Sequence, residues 1–201
     1  MAEREKRRND QVPRIMGADF KKNKKDTRAA FHLALFAASN HDFKDAIRWW
    51  KRFLKYAKDR GERWYAFFCL AECHFALGHS FRAYWCASRS DDETPGRWET
   101  AKLKGILLYS KGKFAKAAEY FVESLSNNTC VVHYRPLKRD VSGTFNFIGE
   151  CLFSLGGFDK AALAFEEAAK TCIDEEFKKI LDGRAKLMLE IFKEQSKNKA
   201  V

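Results

Sequence analysis

Between Phe145 and Lys170 the chain reads FNFIGECLFSLGGFDKAALAFEEAAK. Ile148-Gly149 precede Leu155-Gly156 by seven residues, and Ala161, Phe165 and Ala168 follow Gly156 by five, nine and twelve. This spacing suits two antiparallel helices joined by a tight turn. Gly149 and Ala161 stand where the two helices press together, and a larger side chain there would push them apart. Gly156 ends the first helix, where a left-handed residue is least strained if it is glycine. Phe165 and Ala168 offer one large and one small side chain to neighbouring helices.

The same unit recurs upstream. Leu70-Ala71, Leu77-Gly78 and Ala83 repeat its positions, as do Gly105, Gly112, Ala117 and Phe121. An earlier copy turns at Asn40-His41-Asp42 and continues through Phe43, Ala46, Ile47, Trp50, Phe53 and Leu54 at helical spacing. His41 occupies the position where the other copies have glycine, so this turn is the weakest match. From Ala46 to Ala83 the step is 37 residues, to Ala117 another 34, and to Ala161 another 44. The extra length of the last step falls in Ser126 to Ser142, where Tyr134-Arg135-Pro136 stands. A long connection in an array lies on one face and serves as a binding element, which nominates Tyr134 and Arg135.

The four units, at 26–59, 62–90, 98–125 and 143–170, resemble tetratricopeptide repeats. That resemblance implies an all-α, right-handed superhelical solenoid of about four helical hairpins. A C-terminal capping helix at 171–196 is expected to cover the last exposed face with Phe177, Ile180, Leu181, Leu187, Met188, Ile191 and Phe192. Residues 197–201 are expected to fray. Residues 1–25 read as a basic flexible arm interrupted by Pro13 and Gly17, and Asp91 to Gly96 as an acidic loop.

Repeats of this kind are interaction modules whose concave groove holds a peptide or partner helix. The resemblance therefore implies a non-catalytic protein–protein scaffold, and its register nominates groove residues. These are Phe31 and Leu35, then Tyr65, Phe68, Glu72 and Phe75, then Lys102, Ile106 and Tyr109, and finally Asn146, Glu150 and Phe153. Members that clamp a chaperone's terminal carboxylate carry Lys, Asn and Arg where this chain has Phe31, Leu35, Cys69, Glu99 and Leu103. The implied ligand is instead an apolar or amphipathic protein segment.

A second resemblance joins RWYAFFCLAEC, from Arg63 to Cys73, with HYRPL, from His133 to Leu137. The pair is similar to the repeat region that accompanies family-2 glycosyltransferases, which implies a companion role beside such an enzyme. The sequence shows neither an Asp-x-Asp element in a Rossmann-like context nor a βα alternation.

Composition bounds the remaining classes. The chain has 201 residues, enough for one domain, with a net charge of +11. Residues 1–25 hold nine Lys or Arg against four Asp or Glu. The arm's Arg4, Lys6, Arg7, Arg8, Lys21, Lys22, Lys24 and Lys25 define an alternative, a nucleic-acid-associated adaptor. Only Phe20 stands among them to stack on a base, which makes this the weaker reading. No apolar run is long enough to span a bilayer and none follows the charged N-terminus, so a cytoplasmic protein with six reduced cysteines is expected. Cys69, Cys73 and His74 do not make a closed zinc site, which needs four ligands. Cys73 and His74, adjacent on a helix, point about 100° apart and cannot act as a nucleophile–base pair. No cofactor is implied. The oligomeric state is open, because an unpaired end face can stack on a second copy.

Overall fold

A computed structural model describes residues 14–127 and 140–198 of the chain. All regular structure among the described residues is helical. Helix α1 covers residues 14–22. It is followed by α2 (Thr27–Ser39), α3 (Phe43–Tyr56), α4 (Arg60–Ala76) and α5 (Ser80–Glu93). These belong to one compact unit, Met1–Pro95. The second unit, Gly96–Val201, holds α6 (Trp98–Tyr109), α7 (Phe114–Ser126), α8 (Val141–Ser154), α9 (Phe158–Thr171) and α10 (Glu175–Asn198).

Aspartates start most of the hairpins. Asp26, Asp42, Asp59 and Asp140 each accept a hydrogen bond from the backbone N–H three residues on, at 2.8–3.1 Å. This satisfies one of the orphan donors at the helix start. Asp174 does the same for α10 through the N–H groups of Glu176 and Phe177.

The turn inside each hairpin is a single solution used four times. His41, Gly78, Gly112 and Gly156 all have positive φ, between 59° and 79°. In each case the next residue's N–H donates to the carbonyl five positions back: Asp42 to Ala37, His79 to His74, Lys113 to Leu108 and Gly157 to Leu152, at 2.8–3.0 Å. This is the helix-ending motif built on a left-handed residue. His41 thus makes the same turn as the glycines while bearing a Cβ. Five residues after each turn comes a fully buried alanine: Ala46, Ala83, Ala117 or Ala161.

In the two hairpins of the second unit the helices approach very closely. A Cβ at Gly105 would lie 2.7 Å from the Phe121 ring, and a Cβ at Gly149 would lie 2.7 Å from the Phe165 ring. Each glycine precedes its phenylalanine by 16 residues, so the contact joins the first helix of a hairpin to the second. The second unit's core then extends from Ala162, Phe165 and Ala169 on α9 to Leu181, Ala185 and Met188 on α10. The other apolar residues expected to face inward from α10 divide. Phe177 and Ile191 pack on this core, whereas Ile180, Leu187 and Phe192 are 53%, 51% and 42% exposed. A 24-residue helix offers more than one face to apolar residues, and only one can meet α9.

The first unit is packed with rings. Trp50 and Trp64 are completely enclosed. Phe31 meets Trp50 edge-on at 5.3 Å and Tyr65 at 5.8 Å, while Trp64 stacks on Phe68 at 5.6 Å. Arg63 ties the helix ends by donating to Glu93 at 2.8 Å and to the Leu54 and Ala57 carbonyls at 3.2 and 3.3 Å. Two local readings change here. Asp91 to Glu93 are the last turn of α5 and not a loop. Residues 14–22 are helical straight through Gly17, and Phe20 meets Trp49 edge-on at 5.0 Å while the Arg52 guanidinium lies 5.0 Å from the centre of the Phe20 ring.

Four of the described thiols, Cys69, Cys73, Cys86 and Cys151, are buried. Burial is the main cause that pushes Cys73 up to about 12, with the Glu72 charge adding to it. Burial also raises Cys86 and Cys151 to about 11. Thiols so placed carry no thiolate at neutral pH.

Gly149→Ala should destabilise the chain by about 1–3 kcal/mol in urea unfolding, the range for overpacking, because its Cβ meets a ring that is itself enclosed. An unchanged midpoint would mean that the helices are not held in this contact. With an aromatic disulfide reagent at pH 8, Cys73, Cys86 and Cys151 should react only after guanidinium unfolding. Fast labelling of any of them in the folded chain would contradict the packing described.

Candidate functional site

The residues nominated for a groove separate into two populations. Phe31, Tyr65 and Phe68 are buried at 7%, 4% and 6% exposure, with their rings committed to the aromatic packing of the first unit. Leu35 and Phe75 are half-buried, and Glu72 is exposed. The first-helix stripe of this unit is therefore mostly interior.

In the second unit the stripe forms a connected polar surface. The Tyr109 hydroxyl on α6 donates to Glu150 Oε2 on α8 at 2.5 Å. Arg184 Nη1 on α10 donates to Glu150 Oε1 at 2.8 Å and to Asn146 Oδ1 at 2.9 Å. One carboxylate thus links three helices, α6, α8 and α10. The hydrogen bond to Glu150 is the largest cause that lifts the Tyr109 phenol to about 12, followed by burial and by the carboxylate's charge. Arg184 also lies 5.8 Å from the centre of the Phe165 ring, the ring that meets Gly149. Its position is therefore coupled to the hairpin's closest contact.

Lys102 adds a second link. Its ammonium donates to the Asp140 carbonyl at 3.1 Å and pairs with Asp140 Oδ2 at 3.2 Å. Asp140 is also the N-cap of α8, so this lysine holds the entry of that helix. Beside these polar groups, Ile106 is half-buried and Phe153 is 46% exposed, touching Phe158 edge-on at 5.8 Å. The surface combines a fixed acid–base ladder with accessible apolar side chains.

Arg184 was not among the nominated residues. It stands nine residues into α10, as Glu150 stands nine residues into α8. Treating α10 as a further first helix would have found it. Tyr134 and Arg135, and Arg4, Lys6, Arg7 and Arg8, lie outside the described residues. Lys21, Lys22, Lys24 and Lys25 are exposed at and after the end of α1. Among the described residues no group of three or more His, Cys, Asp or Glu could hold a metal ion, and no helix is long and apolar enough to cross a membrane.

No protein-family model and no curated sequence matches this chain. Solved structures do. MamA superposes with a TM-score of 0.71 at 19% identity, over 85% of this chain and 92% of that one. YrrB, described as a tetratricopeptide-repeat protein with an unusual peptide-binding site, gives 0.66 at 14% identity over 88% and 84%. A thermophilic repeat protein of Thermus thermophilus gives 0.61 at 17% identity over 90% and 91%. With the shared left-handed turns and the glycine–phenylalanine contacts, these likenesses establish that the chain has the tetratricopeptide-repeat fold.

Proposed function

We propose that this chain is a non-catalytic interaction scaffold that captures an apolar or amphipathic segment of a partner protein on the first-helix face of its second unit. The observation that carries this reading is the ladder of Tyr109, Glu150 and Arg184, with Phe153 exposed beside it. The polar groups there are already oriented, so a partner need not order them, which lowers the cost of association. Phe153 and Ile106 supply apolar area, and the half-exposed Arg184 marks the kind of mixed surface on which binding energy concentrates. Peptide binding by YrrB, a protein of the same fold, adds support. The buried state of Phe31, Tyr65 and Phe68 shifts the reading away from the first unit's stripe.

Affinity capture from the native host tests the proposal. Proteins held by the unaltered chain should be lost, by about tenfold or more, with Phe153→Ala combined with Ile106→Ala, while helical circular dichroism stays unchanged. Equal recovery with the double variant would overturn the assignment of this face.

The ladder makes its own prediction. The folded phenol of Tyr109 titrates above the ordinary tyrosine value, so the stability it contributes is complete below about pH 10 and is lost as pH rises through about 12. Tyr109→Phe should cost about 1–3 kcal/mol at neutral pH, as expected for a hydrogen bond to a charged group. The variant's ultraviolet titration should lack one tyrosinate transition near pH 12. Loss of a transition near pH 10 instead would show that the Glu150 bond does not hold in solution.

A further inference from the structure

A cavity of about 450 Å3 opens in the first unit between α3, α4 and α5, a size within the usual range for small-molecule sites. Its walls are apolar: Leu54 from α3, Phe67 and Leu70 from α4, and Cys86 from α5. Phe81 and Trp85, one helical turn apart on α5, edge the cavity while remaining 85% and 54% exposed. Phe67 meets Trp85 edge-on at 6.4 Å, which holds the indole beside the opening. The other described aromatic residues of the first unit are buried or half-buried, so this exposed pair stands apart.

The polar groups lining the cavity have one character. Lys51 and Arg82 contribute positive charge, and none of the lining residues is acidic. The third polar group is His74, 5% exposed, whose Nδ1 is buried and has no hydrogen-bond partner. A buried ring nitrogen without a partner is costly, and His74 lines the cavity, so an occupant of the cavity is the group in reach to supply one. Burial, reinforced by the charges of Lys51, His79 and Arg82, holds the imidazole below its ordinary value and therefore neutral at pH 7. A neutral imidazole retains one N–H that can donate to an anion.

We propose that this cavity binds a small amphipathic carboxylate. Its flat apolar body lies between Leu54, Leu70 and the Trp85 indole, and its carboxylate faces Lys51, Arg82 and His74. Charge selects the ligand: two cations without a lining acid favour an anion, and the apolar walls demand that the rest of it be hydrophobic. This site uses none of the residues assigned to partner capture, so either can fail without the other.

Calorimetric titration of the full chain with 1-naphthylacetate and with its uncharged counterpart 1-naphthylacetamide tests the proposal. The acid should bind with one-to-one stoichiometry and at least about tenfold more tightly than the amide, the scale of a charge-assisted hydrogen bond. Lys51→Gln with Arg82→Gln should erase that preference; both side chains are exposed, so the fold should persist. Equal affinity for acid and amide in the unaltered chain would overturn the proposal, as would acid binding unaffected by the double variant. An absence of saturable binding would do the same.

Discussion

The second unit depends on how closely two helices can approach. At Gly105 and at Gly149 the backbone of one helix rests directly on a phenylalanine ring of the next, with no room for even a methyl group. A side chain at either position would force the hairpin apart and break the alignment of everything along it. The enclosed alanines at Ala117 and Ala161 serve the same approach from the other helix. Close packing of this sort is unforgiving, because an interior at crystal-like density has no slack to absorb an added group.

Once that separation is set, the repeated turn sets direction. A left-handed residue closes each hairpin through the same pair of backbone hydrogen bonds, and the buried alanine follows at a constant distance. Within the second unit, constant geometry brings the same face of α6, α8 and α10 into one stripe. Tyr109, Glu150 and Arg184 meet because of this alignment, although 75 residues separate the first from the last. Their hydrogen bonds then reinforce the stacking that brought them together. The half-buried carboxylate is satisfied from both sides, which avoids the penalty of an unpaired buried charge.

The two units spend their aromatic residues differently. In the first, Phe31, Trp50, Trp64, Tyr65 and Phe68 fill the interior, and the exposed rings Phe81 and Trp85 stand on α5 beside a cationic cavity. In the second, the interior is lighter, built on alanines with Phe121, Phe165 and Leu181, and the first-helix stripe carries polar groups. The thiols follow the same logic as the small apolar residues. Cys73, Cys86 and Cys151 fill core positions, and their raised pKa values are a consequence of that placement.

Helical hairpins, their turns and the small residues between them were legible in the sequence, because each rests on local chemistry. Glycine at 78, 112 and 156 and alanine at fixed offsets announce themselves through spacing alone. His41 was harder to read, since the turn's backbone bonds hold it in the left-handed region that glycine enters freely. The inward or outward fate of an aromatic residue was not legible. A first helix in such an array is apolar on more than one side, and periodicity cannot say which side meets a neighbour. Only the tertiary structure decided that Phe68 stacks on Trp64, that Glu150 joins Tyr109 to Arg184, and that Lys51, His74 and Arg82 surround one cavity. Those are contacts between helices, and they depend on the separations and rotations that packing imposes after the local pattern has done its part.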